Sequence, residues 1–164
     1  MQSDLPSAAI IVAAGTGTRI GGDIPKQYRL VRGKVMLRHS VEAFAAHPAF
    51  KHIIVVFGKG QETLAREALI GLPDVILLEG GQERIDSVKN AIHYLDNIDF
   101  SGTTFVHDAA RPFLSAQVIN RLLEALASSE GAVPAPPVVD SLSRGNAEGS
   151  LTEVVDREQL YRIQ

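Results

Sequence analysis

The chain has 164 residues, of which 45% are apolar and 21% are charged, and its formal net charge is −3. This composition indicates one globular domain or part of one, and the absence of cysteine excludes disulfides, cysteine zinc sites, iron–sulfur clusters and thiolate nucleophiles. The slightly acidic charge argues against general nucleic-acid binding, and the apolar runs are too short to span a membrane. With no evident targeting segment, we expect a cytoplasmic protein.

Short β-branched runs alternate with amphipathic stretches along most of the chain, a pattern typical of a parallel sheet with crossover helices. Strands are predicted at residues 9–13, 53–57, 75–78 and 103–106, with a weaker fifth near 132–139. These runs are continuously apolar, which predicts strands covered by helices on both faces. Apolar residues at helical spacing predict helices within residues 64–69, 85–95 and 118–126, the last with Ser115 as its N-cap. We expect a doubly wound α/β sheet whose loops after each strand form a ligand-binding edge.

The character of the sequence changes after the proline-rich stretch at residues 134–137. Two segments, 140–144 and 151–155, flank a Gly-Asn-Ala-Glu-Gly turn, which predicts a β-hairpin or arm. We therefore divide the chain into an α/β domain at residues 1–139, a β-arm at 140–157 and the start of a returning segment at 158–164. The sequence stops at Gln164 without the glycine, proline or polar tail that usually marks a finished domain, so we expect it to be truncated.

A glycine loop directly follows the first predicted strand, in the sequence Ala-Ala-Gly-Thr-Gly-Thr-Arg at residues 13–19. Small residues at the end of a strand let backbone N–H groups approach a phosphate closely. The loop is not a dinucleotide fingerprint, because Ile20 stands where the third glycine is required, and the chain has no Gly-Lys-Ser/Thr of a Walker loop. What remains is a pair of cations, Arg19 and Lys26, in a window from Arg19 to Arg38 whose local charge is +5. These cations can close over a triphosphate, so residues 1–139 are predicted to bind a nucleotide.

A second motif, Gly-Gly-Gln-Glu-Arg-Ile-Asp-Ser at residues 80–87, follows the third predicted strand and opens a helix. Exposed N–H groups at a helix start suit an anion or a base carbonyl, and the glycine pair leaves room for a planar ring against the backbone. The Ser87 hydroxyl can then hydrogen-bond the edge of a nucleobase. In the alternative interpretation, the glycines only form a turn and Ser87 has no ligand.

A third motif, His-Asp-Ala-Ala-Arg-Pro at residues 107–112, ends the fourth predicted strand on the same edge. Asp108 can hold a ribose or substrate hydroxyl or help a magnesium ion, and the forked donor of Arg111 suits a phosphate. A structural ion pair between Asp108 and Arg111 is the alternative, and both interpretations can hold together. We interpret His107 as structural rather than catalytic.

Together with Pro-Lys-Gln-Tyr at residues 25–28 and Val-Asp-Arg at 155–157, these motifs resemble those of the methylerythritol phosphate cytidylyltransferase family. Five motifs follow in the family's order over nearly the whole chain. The resemblance implies a Rossmann-like nucleotidyltransferase sheet, and an enzyme of the non-mevalonate isoprenoid pathway that transfers CMP from CTP to methylerythritol phosphate and releases pyrophosphate. The alternatives are another sugar-phosphate nucleotidyltransferase of the same fold and a catalytically dead nucleotide-binding module.

The resemblance also implies a role for individual residues. Arg19 and Lys26 match the cations that embrace the CTP phosphates and stabilise the transition state. The other positions matched to CTP are Ala13, Ala14, Gly15, Gly17, Gly81, Gln82, Ser87 and Ala109. The positions matched to the acceptor, methylerythritol phosphate, are Asp108, Arg111, Ser141 and Arg157. The family uses a magnesium ion (Mg2+) bound mainly through the CTP phosphates, and no certain protein ligand for it is identified.

The remaining implications concern assembly. The arm is expected to cross to a second subunit and form a homodimer, and some relatives carry a fused cyclodiphosphate synthase domain. Ser141 stands where the family commonly has threonine, which retains a hydroxyl. The family continues past the position of Gln164 with a Thr-Pro-Gln motif and a lysine that positions the acceptor phosphate, which is the second reason to expect a truncated sequence.

Overall fold

The structure, a computed structural model of the chain, describes residues 5–15, 24–72 and 74–163. In chain order its strands and helices are β1 (Ser7–Ala13), β2 (Leu30–Val31), β3 (Lys34–Val35), α1 (Met36–Ala45), β4 (Phe50–Phe57), α2 (Glu62–Ala68), β5 (Val75–Glu79), α3 (Arg84–Asn97), β6 (Thr103–Asp108), α4 (Ala116–Leu126), β7 (Leu142–Gly145) and β8 (Leu151–Val155). One turn of 3₁₀-helix, Lys26–Tyr28, precedes β2. Two compact units divide the chain, the first ending at Ala116 and the second beginning at Gln117.

A parallel sheet of four strands in the order β5-β4-β1-β6 forms the centre of the first unit. Its strands coincide with the four strongest predicted ones, so the predicted doubly wound α/β fold is confirmed. Pairing runs in register, with Ile10 opposite Ile54 on one side and Val106 on the other. The strand order reverses beside β1, because β4 follows it on one side and β6 lies on the other. Such a reversal is where open α/β sheets bind ligands.

Helices pack on both faces of the two central strands. The face of Ala8, Ile10 and Ile54 packs with Ala91 and Leu95 of α3 in a buried apolar cluster. Because side chains alternate along a strand, Ile11 points to the opposite face, where α1 contacts β1 and β4. The predicted burial on both faces is therefore confirmed for β1 and β4. It is wrong for β6, an edge strand of this sheet, where Val106 stays 44% exposed.

A side-chain network fixes the start of α1. Glu42 accepts hydrogen bonds from Lys34 and from Arg38, the latter at 2.8 Å, and Arg38 also donates to the carbonyl of Ile70 at 2.8 Å. The hydrogen bond from Lys34 is the main reason that the pKa of Glu42 is lowered; burial opposes this effect, and Arg38 adds to it. The network ties α1 to the end of α2.

The second unit contains α4, which buries Ile119, and an antiparallel hairpin of β7 and β8. The hairpin pairs Leu142 with Val155, and its register shifts between Arg144 and Gly145. Between α4 and the hairpin, the predicted fifth strand at residues 132–139 is wrong, since the described residues there form only an isolated bridge between Pro137 and Tyr161. Pro134, Pro136 and Pro137 have no backbone N–H group to donate to a neighbouring strand.

Candidate nucleotide-binding site

A pocket of about 470 Å³ opens at the carboxyl ends of the parallel strands. Three separate segments line it: the end of β1 with the residues after it, the loop from β5 into α3, and the end of β6. Its lining residues are Val12, Ala13, Ala14, Gly15, Gln27, Gly81, Gln82, Glu83, Arg84, Ser87, Asp108, Ala109 and Ala110. The pocket therefore lies at the edge and at the strand-order reversal where the sequence predicts a ligand.

The buried side chain of Gln27 fixes the loop after β1. Its amide nitrogen donates to the carbonyls of Ala13 at 2.6 Å and Gly15 at 2.7 Å, and it contacts the side-chain oxygen of Gln61 at 3.2 Å. A Cβ atom on Gly15 would meet nothing within 4 Å. These hydrogen bonds hold the end of β1 and Gly15, and the described residues leave open the space that a Cβ atom on Gly15 would enter.

The second wall is the start of α3, where two glycines allow close packing. A Cβ atom on Gly80 would lie 2.6 Å from the Ser87 hydroxyl oxygen, and one on Gly81 would lie 2.2 Å from the Cβ of Asp86. Asp86 accepts a hydrogen bond from the Glu83 N–H at 3.1 Å and so caps the helix. Ser87 lies in the pocket lining but is fully buried, and its hydroxyl donates to the Glu83 carbonyl at 3.2 Å.

The third wall carries Asp108, whose charge is paired with two arginines. Asp108 pairs with Arg84 at 2.9 Å through one carboxylate oxygen and with Arg111 at 3.4 Å through the other. Burial raises the pKa of Asp108, but the hydrogen bonds and charges of Arg84 and then Arg111 outweigh this effect and lower it below its ordinary value. The ion pair expected as an alternative is therefore present, and it presents an ionised carboxylate to the pocket.

His107 has a structural environment. Its Nε2 donates to the Arg111 carbonyl at 3.0 Å, and its ring lies edge-on to Phe44 with the centroids 5.4 Å apart. Burial lowers the pKa of His107, although its hydrogen bond and the charge of Asp108 oppose the effect. These contacts orient the loop after β6 and agree with the structural interpretation of this histidine.

The structure gathers most of the residues that the sequence singles out. Eight of them line the same pocket: Ala13, Ala14, Gly15, Gly81, Gln82, Ser87, Asp108 and Ala109. Lys26 begins the 3₁₀ turn beside the pocket-lining Gln27 but does not itself line the pocket. Gly17 and Arg19 lie outside the described residues. In the second unit, Ser141 is exposed and Arg157 donates to the Val139 carbonyl.

Five lining residues were missed as site residues: Val12, Gln27, Glu83, Arg84 and Ala110. Gln27 and Arg84 already stood inside the motifs, but their contacts join residues 14 and 24 positions apart. A sequence signal for Gln27 is its place inside the motif Pro-Lys-Gln-Tyr at residues 25–28, where its side-chain amide can hydrogen-bond backbone at the edge of the sheet. For Arg84, the signal is a second arginine, in the motif at residues 80–87, that could pair with Asp108 as Arg111 does.

The described residues contain no group of three or more His, Cys, Asp or Glu side chains able to hold a metal ion. Among the described residues that line the pocket, Asp108 and Glu83 are the only carboxylates, and Asp108 is already paired with two guanidinium groups. Magnesium needs six oxygen ligands and usually takes only one or two from protein carboxylates, with the rest from water and substrate phosphates. The pocket therefore fits a magnesium ion that arrives with a phosphate ligand.

A parallel α/β sheet with a glycine-lined pocket at its strand-order reversal defines a doubly wound α/β protein, a class that binds ligands at this edge. The profile of the 2-C-methyl-D-erythritol 4-phosphate cytidylyltransferase (IspD) family matches residues 7–164. The chain belongs to this family, a family of nucleotidyltransferases in isoprenoid biosynthesis, which confirms the resemblance seen in the sequence.

Individual relatives agree with this assignment. The bifunctional enzyme IspD/IspF of Rhizorhabdus wittichii is 48% identical over 157 residues, which cover 96% of this chain and 40% of that protein. The 2-C-methyl-D-erythritol 4-phosphate cytidylyltransferase of Vibrio parahaemolyticus is 39% identical, with 93% and 66% covered. A crystal structure of a 4-diphosphocytidyl-2C-methyl-D-erythritol synthase matches with a TM-score of 0.82 and 30% identity, covering 98% of this chain and 72% of that one. The chain thus spans about two fifths of the bifunctional relative and two thirds of the Vibrio enzyme.

Proposed function

We propose that this protein transfers CMP from CTP to 2-C-methyl-D-erythritol 4-phosphate and releases pyrophosphate. One observation carries the proposal: seven residues from three separate segments, all matched to CTP contacts, line one pocket. They are Ala13, Ala14, Gly15, Gly81, Gln82, Ser87 and Ala109. Asp108, matched to the acceptor, lies in the same lining. The pocket therefore provides adjacent positions for the two substrates.

The reaction needs no general base from the protein. The acceptor phosphate has a second pKa of about 6 and is largely dianionic near neutral pH, so its oxygen can attack the α-phosphorus of CTP directly. A new bond between this oxygen and the α-phosphorus forms as the bond to the bridging oxygen of pyrophosphate breaks, in line with the attack. The protein then has to neutralise repelling phosphates and align them, which is the role proposed for Arg19 and Lys26.

The walls of the pocket are suited to the nucleoside. The backbone at Ala14 and Gly81 is accessible to a planar base, and the buried Ser87 hydroxyl can accept a hydrogen bond from the cytosine amino group. Gly17 and Gln82 complete the CTP contacts that the resemblance implies. The base is recognised by short polar groups held in fixed positions.

Acceptor binding is assigned to Asp108, Arg111, Ser141 and Arg157. An ionised Asp108 accepts hydrogen bonds from the acceptor hydroxyls, and the guanidinium groups donate to its phosphate. A magnesium ion held by the CTP phosphates would supply further charge neutralisation at the triphosphate.

The same proposal extends to location and assembly. We assign the protein to the cytoplasm, without a membrane or nucleic-acid partner; no helix in the described part of the chain is long and apolar enough to cross a membrane. The exposed Leu151 and Val154 of the hairpin support pairing of two arms in a homodimer. The bifunctional relative supports a cyclodiphosphate synthase domain fused to this one.

Substrate profiling tests the proposal. The polypeptide as its gene encodes it is incubated with a magnesium salt, each of CTP, UTP and GTP, and either methylerythritol phosphate or a hexose phosphate. Pyrophosphate release is expected only with CTP and methylerythritol phosphate. Turnover with another nucleotide and a hexose phosphate would assign a different sugar-phosphate nucleotidyltransferase, and no turnover with any pair would contradict an enzymatic role.

A further inference from the structure

Arg84 connects two walls of the pocket that otherwise belong to different elements. It is the first residue of α3, whose start also contributes Gly81 and Ser87. Its guanidinium contacts one oxygen of Asp108, at the end of β6, through Nη2 at 2.9 Å and Nε at 3.3 Å. The Arg84 side chain thus reaches from the start of α3, whose residues are matched to CTP, to Asp108, which is matched to the acceptor.

Stability does not account for this contact. The Arg84 side chain is 62% exposed and that of Asp108 is 38% exposed, and ion pairs this open to solvent contribute about 0–1 kcal/mol. A cation in the first turn of a helix also opposes the helix dipole, which favours acids there. Asp86 and the buried Ser87 already hold the start of α3. The placement of an arginine at this position therefore calls for a role in the pocket.

We infer that Arg84 is a positioning residue for the acceptor: it fixes the orientation of the Asp108 carboxylate so that this group can receive the acceptor hydroxyls. This inference rests on the proposed function. Arg84 occupies one oxygen of Asp108, while the other receives a single longer contact of 3.4 Å from Arg111. A carboxylate oxygen can accept two hydrogen bonds, so this second oxygen can accept a substrate hydroxyl without losing the contact to Arg111.

The inference separates the two substrates. Removing Arg84 takes away the shorter of the two ion pairs that hold the Asp108 carboxylate, so the group keeps its orientation toward the acceptor hydroxyls less well. The walls matched to the nucleotide keep their capping and their buried serine. Use of the acceptor should therefore suffer, and use of CTP should not.

The experiment compares Arg84→Met with Arg66→Met in the full-length protein that the gene encodes. Arg66 is a matched control, because it forms an exposed ion pair with Glu62 at 2.7 Å on α2 and does not line the pocket. Arg84→Met should lower kcat/KM for methylerythritol phosphate about tenfold and change the KM for CTP less than twofold. Arg84→Lys, which keeps the charge, should recover most of the loss, and Arg66→Met should behave as the unchanged protein. The melting temperatures of all three variants should agree within about 3 °C, as expected for exposed pairs.

A double-mutant cycle tests whether Arg84 acts through Asp108. In an Asp108→Asn background, Arg84→Met should cost less than twofold in acceptor kcat/KM, since the group that it positions is already altered. Three results would overturn the inference. They are a tenfold loss of acceptor kcat/KM in the Asp108→Asn background as well, a tenfold change in the KM for CTP, and an acceptor kcat/KM for Arg84→Met that is indistinguishable from that of Arg66→Met. If the unchanged protein turned over no CTP, the proposed function itself would fail, and the two failures are therefore distinct.

Discussion

Lys26 is a cation beside the pocket, since its sequence neighbour Gln27 forms part of the lining. Its charge is needed only when phosphates are present, whereas an exposed or half-buried loop lysine contributes little to folding. We expect Lys26→Ala to abolish turnover and to leave the melting temperature unchanged. Steady-state kinetics and thermal melting check both parts.

Lys51 gives the matched control for this substitution. It lies exposed near the start of β4, at the end of the sheet opposite the pocket. Lys51→Ala should retain full activity. If Lys26→Ala also retained full turnover, Lys26 would have no part in the mechanism.

The charge state of Asp108 gives a pH prediction. Burial favours its neutral form, but Arg84 and Arg111 lower its pKa below the ordinary value near 3.9. Of the other described pocket-lining side chains, only Glu83 is charged. Because the folded pKa is lowered, the stabilisation from this carboxylate is complete above the ordinary pKa and is lost as the pH falls through the folded value.

An NMR titration of the Asp108 side-chain carbon measures this pKa directly. Its midpoint should lie below 3.9 in the unchanged protein and should rise in Arg84→Met, since burial then meets less opposition. A midpoint that did not move in Arg84→Met would show that Arg84 does not control this carboxylate.

Among the elements, the 3₁₀ turn supports the pocket, because it positions Gln27 to donate hydrogen bonds to the carbonyls of Ala13 and Gly15. Gln27→Leu would leave the carbonyls of Ala13 and Gly15 without their side-chain donor. The Ala13 carbonyl is buried, whereas Gly15 is exposed and water can replace the donor there. A buried polar group left unsatisfied costs about 1–3 kcal/mol, so we expect a loss of that order in the free energy of unfolding and weaker CTP binding. Urea denaturation measures the first effect and calorimetry the second.

Gln61→Leu is the control for that substitution, since Gln61 shares only the longer contact of 3.2 Å with Gln27. It should cost less than half as much as Gln27→Leu. Equal costs would mean that the amide donors of Gln27 do not fix the loop.

Most of the long elements could be predicted because their sequences carry a sustained period, but the ten-residue helix α1 (Met36–Ala45) was missed. The central strands and the helices α2, α3 and α4 have one, whereas β2 and β3 have two residues each and show none. β2 and β3 form an antiparallel hairpin, and the signal for it is the two-residue turn Arg32-Gly33 between them. Both turn residues have positive φ, as a type I′ turn requires. Residues 132–139, which were wrongly predicted to form a fifth strand, have the apolar composition of a strand. They contain prolines, however, which lack the backbone N–H group that donates a hydrogen bond to a neighbouring strand.

The site was predictable where motifs end parallel strands, because those ends share one edge of the sheet. That rule brings Gly15, Gly81 and Asp108 together before any coordinates are known. It cannot give the amide of Gln27 folding back onto β1 or the reach of Arg84 to Asp108. Those contacts depend on the tertiary positions of side chains far apart in sequence.

At the scale of the whole molecule, the arm governs the proposed dimer. Leu151 and Val154 are 78% and 83% exposed in the single chain, so they offer apolar area that a second arm could cover. The double variant Leu151→Ser/Val154→Ser should shift the mass measured by light scattering from dimer to monomer. Ile70→Ser, at a residue 72% exposed after α2, should leave the dimer intact. A dimer that survives in the double variant would contradict pairing through these residues.

The central claim is that the pocket beside β1 binds CTP, and titration calorimetry on the intact polypeptide with CTP and magnesium tests it most directly. Gly15→Val fills open space in the pocket, whereas Gly131→Val fills open space outside its lining, and neither glycine has a positive φ that would strain valine. The account predicts binding of one CTP per chain in the unchanged protein and in Gly131→Val, and its loss in Gly15→Val with the melting temperature preserved. No heat with CTP in the unchanged protein, or equal heat in Gly15→Val, would contradict it.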